Sequence, residues 1–151
     1  DISYIPTKQG ILYLSVIRDL FDLSIVAYKT SIRQSIKLVL DTVRLAMEKE
    51  EVTTELQLHS DQGFQYASQS YFALTTQYGI TPSMSRRANP YDNAMAENFF
   101  SILKSECIRL YKPETLHDAQ TLIDEYIAFY NHERIQLNSK LSPIEKRRFF
   151  A

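Results

Sequence analysis

What the 151-residue chain has little of narrows its class. It carries one cysteine, three glycines and no tryptophan. No apolar run approaches the roughly 20 residues that cross a bilayer, which excludes a membrane-spanning segment. The sole thiol, Cys107, excludes an internal disulfide and a thiolate metal cluster, and fits a reducing compartment and a small core position. The N-terminus lacks the basic and apolar stretches of a signal peptide, so a cytoplasmic location is expected. An excess of charge is missing too: 17 basic against 18 acidic residues leave a net charge of −1. That balance excludes a domain that holds nucleic acid by bulk positive charge, so any such contact must be local. The basic residues do cluster, at Arg86-Arg87, at Lys104 and Arg109, and at Lys146-Arg147-Arg148. A solvated face is the plain reading of each cluster. What is present is ordinary, 44% hydrophobic and 23% charged. A chain of this size makes about one domain and hides roughly 70% of its unfolded surface.

Periodicity predicts the elements. Ile2 to Ile5, ended by Pro6, then Gly10 to Ile17 and Ile25 to Tyr28 read as three strands with an antiparallel hairpin. Ile32, Ile36, Val39, Leu40, Val43 and Met47 recur at helical spacing and predict an amphipathic helix over 31–50. Leu56 and Leu58 alternate with polar neighbours in a strand that Asp61 ends. Ser68 to Tyr78 reads as a helix stopped by Gly79, and Ile80 to Met84 as a strand. Asn89, or Asp92 one turn later, caps a helix running to about Arg109. On it Glu97, Ser101 and Lys104 share a polar stripe opposite Phe99, Ile102 and Leu103. Thr115 to Asp118 forms a capping box before a core helix through Tyr130. From Asn131 the chain is polar and basic, broken at Ser142-Pro143, which predicts an extended tail with a short closing helix. The order describes an α/β layer with an antiparallel beginning and a parallel continuation, in which strand ends hold ligands.

Three carboxylates stand out. Asp61 and Glu97 have 35 residues between them, in the strings Leu58-His59-Ser60-Asp61-Gln62-Gly63 and Asp92-Asn93-Ala94-Met95-Ala96-Glu97, and Asp1 opens the chain. Oxygen ligands of this kind suit Mg²⁺, and three of them can hold two ions for in-line phosphoryl displacement. On spacing alone a bland reading stays open: Asp61 as a turn residue, Glu97 as a solvated helix residue, Asp1 as a terminal charge.

Several strings together carry a resemblance. They are Asp1-Ile2-Ser3-Tyr4-Ile5, Tyr13-Leu14-Ser15-Val16-Ile17-Arg18-Asp19-Leu20-Phe21, and His59-Ser60-Asp61-Gln62-Gly63 with Gln65-Tyr66. Ser83-Met84-Ser85-Arg86-Arg87, Asp92-Asn93-Ala94 with Glu97, Tyr130-Asn131 with Arg134, and Leu141-Ser142-Pro143 follow. With these the chain resembles the catalytic core of bacterial insertion-sequence transposases of the IS-three type, within the retroviral-integrase superfamily. The resemblance implies a ribonuclease-H-like fold, with a mixed central sheet whose first strands are antiparallel and which helices flank. It divides the chain into a catalytic core at 1–131 and a basic tail of the same domain at 132–151.

It also implies an Asp, Asp, 35 residues, Glu triad on Asp1, Asp61 and Glu97, holding Mg²⁺ or Mn²⁺, two ions in the active complex. The implied activity is DNA nicking and strand transfer at element ends, in a homodimer associated with the nucleoid when bound to DNA. Lys104 resembles the position that contacts the DNA end, and Arg86 and Arg87 stand where phosphate contacts are useful. A stand-alone nuclease of the same fold, or an inactive core kept for DNA binding or dimerisation, are the rival readings. Asp92 and Asn93 are read as mainly structural, His59 as a satisfied core residue, and Asp19 as lying outside the ligand set. Two positions depart from the family pattern: Ala88 replaces a usual Gly, which stiffens its loop, and Gln136 replaces a His. The strings resemble an excised core, from which weak, salt-dependent DNA binding is expected.

Overall fold

Alternation of apolar and polar side chains builds an antiparallel meander from β1 (Ile2–Thr7), β2 (Gly10–Arg18) and β3 (Ile25–Ser31), in the order β1-β2-β3. The computed structural model describes residues 1–52, 54–87 and 89–150, so the stiffened loop expected at Ala88 lies outside the described residues. Ile5 opposes Leu12, and both are buried. β1 passes through Pro6, where the sequence alone predicts a stop. As an edge strand it needs ladder bonds on one side only, and there proline is tolerated.

The first helix is shorter than expected. Residues 31–35 do not join α1 (Ile36–Lys49), because Ser31 ends β3 and Ser35 caps the helix, its side chain accepting from the Leu38 amide at 3.3 Å. Ile32, counted into the apolar stripe, is left exposed. Leu38, Val39, Thr42, Val43 and Ala46 form the buried face of α1, and the Thr42 hydroxyl bonds Ser15 of β2 at 2.9 Å.

β4 (Leu56–Ser60) and β5 (Ile80–Met84) pair in parallel around α2 (Gln69–Tyr78), as the sequence predicts. Ser68 caps α2 at one end, and Gly79, with φ of 70°, closes it in the left-handed conformation at the other. The strands do not form one continuous ladder. Among the described residues the hydrogen bonds define two sheets, β1-β2-β3 and β4-β5. A cleft of about 370 Å³ lies between them, with Ser15 to Arg18 on one side and Gln57 to Ser60 on the other.

Asn89 accepts from the Tyr91 amide and opens a 3-10 turn, Pro90–Asn93, before α3 (Ala94–Leu103). The predicted single α-helix then widens into a π turn, Lys104–Ile108, and ends as α4 (Arg109–Tyr111). Phe99, Phe100 and Leu103 face the core, whereas Glu97 and Ser101 are exposed. Cys107 is buried in the π turn, as its reading as a core residue requires. Glu106 holds that turn to α5 (Leu116–His132) by accepting from Arg134 at 2.6 Å and from the Tyr126 hydroxyl at 2.8 Å. The Arg134 guanidinium, with the Tyr126 bond a smaller contributor, holds the Glu106 carboxyl below its usual range against the opposing effect of burial. Thr115 caps α5, and Ala119, Ile123, Tyr126, Ile127 and Tyr130 are its core residues. Together α3, α5 and the three-stranded sheet enclose the main core. No described helix is long and apolar enough to cross a membrane.

Ser142 caps α6 (Pro143–Phe149), the short helix expected in the tail. Part of the tail's charge is committed internally. Arg147 donates to Asp22 at 2.6 Å, to Glu50 at 2.6 Å and to Ser24 at 3.1 Å, and Lys146 donates to the Phe21 carbonyl at 2.8 Å. The Asp22 side chain is only 3% exposed, so losing Arg147 strands a buried carboxylate. Arg147→Ala should therefore lower unfolding free energy in urea by about 2 kcal/mol, discounted from the fully buried case because the arginine is partly exposed. Adding Asp22→Asn should recover part of that loss.

Candidate metal and DNA site

Asp1 is fixed by its main chain. Its amino nitrogen donates to the Val16 carbonyl at 3.0 Å, and the Val16 amide donates back to the Asp1 carbonyl at 3.0 Å. This locks the residue beside β2, at the edge facing β4. Its Oδ1 accepts from the Asp61 amide at 3.0 Å. Its Oδ2 is buried without a hydrogen-bond partner. An acceptor desolvated in this way is costly unless something positive meets it.

Asp61 ends β4 in a tight turn, its Oδ1 accepting from the Gly63 amide at 2.7 Å. A Cβ on Gly63 would lie 2.9 Å from that same oxygen and 3.0 Å from Oε1 of the buried Gln65, so only glycine leaves the carboxylate where it is. The Tyr66 hydroxyl, below the turn, is pushed up mainly by burial and further by the charge of Asp61.

Glu97 projects from α3 across a cleft of about 390 Å³ shared with Asp61, Gln62, Ser85, Arg86 and Asn93. The family resemblance implies three carboxylates around one pair of ions. The structure puts Asp1 and Asp61 in contact, and Glu97 lines the same cleft as Asp61. Among the described residues no three His, Cys, Asp or Glu side chains are grouped tightly enough to hold a metal ion. The donor set nonetheless fits a hard divalent cation, since it is all carboxylate oxygen and includes the orphaned Oδ2 of Asp1.

Models of the integrase core domain match this chain at residues 1–90 and again at 97–148. The chain belongs to the integrase core family. Over 136 residues, 89% of this chain and 54% of the relative, it is 45% identical to the transposase for insertion sequence element IS904 of Lactococcus lactis. Over 148 residues, 97% of this chain and 52% of the relative, it is 40% identical to the putative transposase InsK for insertion sequence element IS150 of Escherichia coli K12. The chain thus spans about half the length of these curated relatives. The HTLV-2 integrase catalytic core domain, solved in complex with magnesium in a trimeric form, superposes with a TM-score of 0.75. It shares 17% sequence identity, and the match covers 96% of this chain and 90% of that one. That likeness shows the ribonuclease-H-like fold.

The residues around the carboxylates of this integrase core have definite partners. His59 is exposed, not a core residue, yet its ring is satisfied: Nδ1 meets the Ser83 hydroxyl at 2.9 Å, while Nε2 meets the Ser85 hydroxyl at 2.9 Å and the Asp92 carbonyl at 2.8 Å. The carbonyl can only accept, so Nε2 carries a proton. The ring thereby ties β4, β5 and the approach to α3 together. Asp92 does not cap α3 as the sequence allowed. Its carboxylate accepts from Arg86, at the amide (2.8 Å), Nε (2.8 Å) and Nη2 (3.1 Å). Arg86, expected to meet phosphate, is thus forked to Asp92, while Arg87 is exposed without an ion pair among the described residues. Lys104 begins the π turn, half-buried, with its ammonium 5.2 Å from the centroid of the exposed Tyr4 ring. Asp19 stays outside the carboxylate set, its Oδ1 accepting from the Phe21 and Asp22 amides.

Two residues escape the sequence reading. Gln62 donates to the Ser85 carbonyl at 3.0 Å and braces the loop beneath the cleft. Arg18, on sequence only the first residue of the segment between two strands, ends β2 and reaches α3 and α5. A single arginine at a strand end carries no local signal of such reach.

The Arg86 fork, chiefly through its side-chain bonds, holds the Asp92 carboxyl down to about 2. A depressed folded-state value means the tie is intact above the ordinary carboxylate range and is lost as pH falls through about 2. A carboxyl-carbon NMR titration should find that midpoint, and Arg86→Ala should move it back up towards the ordinary range.

Proposed function

We propose that this integrase core nicks DNA at the ends of an insertion element and joins the released 3′ hydroxyl to target DNA, with Asp1, Asp61 and Glu97 holding a pair of Mg²⁺ or Mn²⁺ ions. The observation that carries the reading is the Asp1 carboxylate. One oxygen is tied to the Asp61 amide, and the other is buried with no partner, beside the turn that aims Asp61. Membership of the integrase core family, transposases among the relatives, and a similar integrase core solved in complex with magnesium support it. Bound divalent ions supply Lewis-acid stabilisation of the phosphoryl group and activation of the attacking oxygen.

The chain's own residues do the positioning. Gly63 and the Asp1 main chain set two carboxylates, and α3 carries the third. Arg86, Arg87 and Lys104 are the cations for DNA phosphates, Arg86 after it exchanges Asp92 for a phosphate oxygen. Residues 1–131 make the catalytic unit, and residues 132–151 its tail. A homodimer is the working assembly; the HTLV-2 integrase core, among the similar structures, is known in dimeric and trimeric forms.

Asp61→Asn or Glu97→Gln should reduce Mn²⁺-dependent nicking and joining of a short duplex by on the order of a hundredfold or more, while circular dichroism and melting stay near those of the parent. Full activity in either variant would end the reading. Supplying a pre-cut DNA end separates joining from simple hydrolysis, since a nuclease would release product and join none.

A further inference from the structure

Glu97 is exposed, and its side chain has no hydrogen-bond partner among the described residues. Its position relative to Asp61 therefore depends on where the N-terminal half of α3 sits. Apolar packing holds the helix at Phe99 and Phe100, in its second half, and at the half-buried Ala96, but Ala94, Met95, Glu97 and Asn98 are exposed. The polar anchor there is Arg18. Its Nη1 donates to the Met95 carbonyl at 2.7 Å and to Asn98 Oδ1 at 3.1 Å, so two bonds bracket Glu97 in sequence. Its Nη2 donates to the Tyr130 hydroxyl at 2.7 Å, and its Nε to the Leu23 carbonyl at 3.3 Å.

Each of those partners is itself held. The Tyr130 hydroxyl donates onward to the Leu23 carbonyl at 2.7 Å, and the Tyr130 ring packs edge-on against Phe99 with centroids 5.0 Å apart. The guanidinium carbon stands 6.0 Å from the Phe99 centroid and 5.9 Å from that of Tyr130. Leu23 sits at φ of 67°, a conformation a branched side chain adopts only when its surroundings impose it. Arg18 also follows closely on Val16 and Ile17 of β2, and Val16 is the main-chain partner of Asp1.

We infer that Arg18 is a positioning residue for the reaction. One guanidinium couples the strand that locks Asp1 to the helix turn that carries Glu97, and so sets the separation of the carboxylates that metal must bridge. The inference rests on the function proposed above. A planar fork with several donors can serve α3, α5 and the loop at once; a lysine ammonium carries the charge but lacks that geometry.

The test compares Arg18→Lys, Arg18→Ala and Asn98→Ala with the parent chain and with Asp61→Asn. Asn98→Ala removes a single bond on the exposed side of α3 and keeps the inference testable if Arg18→Ala folds poorly. Amide hydrogen exchange at residues 95–99 should accelerate about tenfold in the Arg18 variants while β4 and α5 keep parental protection. In Mn²⁺-dependent nicking kcat should fall on the order of a hundredfold for Arg18→Ala, less for Arg18→Lys and Asn98→Ala, with KM for DNA near the parental value. Parental exchange at 95–99, or parental kcat despite faster exchange, overturns the inference. So does uniform acceleration across all elements with no selective loss of kcat, because that is the signature of a merely structural arginine. A parent chain that cuts no DNA, or an Asp61→Asn variant as active as the parent, removes the proposed function and this inference with it. Active parent, inactive Asp61→Asn and unaffected Arg18 variants remove this inference alone.

Discussion

Two sheets that share no hydrogen-bonded ladder among the described residues meet where the Asp61 amide donates to the Asp1 carboxylate. A backbone ladder would hold β1 beside β4 through several equivalent bonds; here one side chain stands at the junction and has a second task in reserve. The antiparallel sheet reaches that point through Val16, and the parallel sheet through the turn made by Asp61 and Gly63. Everything nearby serves to keep the junction aimed: the buried Gln65, the absence of a Cβ at position 63, and the His59 ring tying β4 to β5. Stability and site geometry therefore converge on one carboxylate.

Local rules were legible wherever a residue acts on its immediate neighbours. Ser68 and Gly79 bound α2, Thr115 opens α5, and the apolar spacing of Ile123, Tyr126, Ile127 and Tyr130 names its buried face. Alternation found the strands, and the paired strings around Asp61 and Glu97 pointed to the cleft they share. Competition between neighbours blurred the rest. Ser31 and Ile32 fit a helical stripe, but β pairing claims Ser31, and Ser35 is the better cap. Asp92 looks like a cap, yet a forked arginine is the stronger partner for a carboxylate. The reach of Arg18 to Met95, Asn98 and Tyr130 spans most of the chain, and no period or short motif encodes it.

Charge gives a similar lesson. A net charge of −1 and a basic tail suggest a neutral body with a positive appendage. In the fold part of that charge is turned inward: Arg147 meets Asp22 and Glu50, and Arg134 meets Glu106. Such pairs spend their field on holding α5 and α6 in place, and little of it extends towards solvent beyond a Debye length. At the cleft itself Arg87 is exposed without an ion pair among the described residues, while Lys104 rests on the Tyr4 ring.

The π turn at Lys104–Ile108 takes up one residue more than an α turn before the helix resumes. One residue is about 100° of rotation, so the two halves of the helix need not share a common stripe. Glu97 belongs to the half clamped against β2, and Glu106 to the turn clamped against α5. The extra residue thus lets the half that carries Glu97 and the turn that carries Glu106 each meet its own neighbour, so the heading of the upstream carboxylate is set without reference to what the downstream turn packs against.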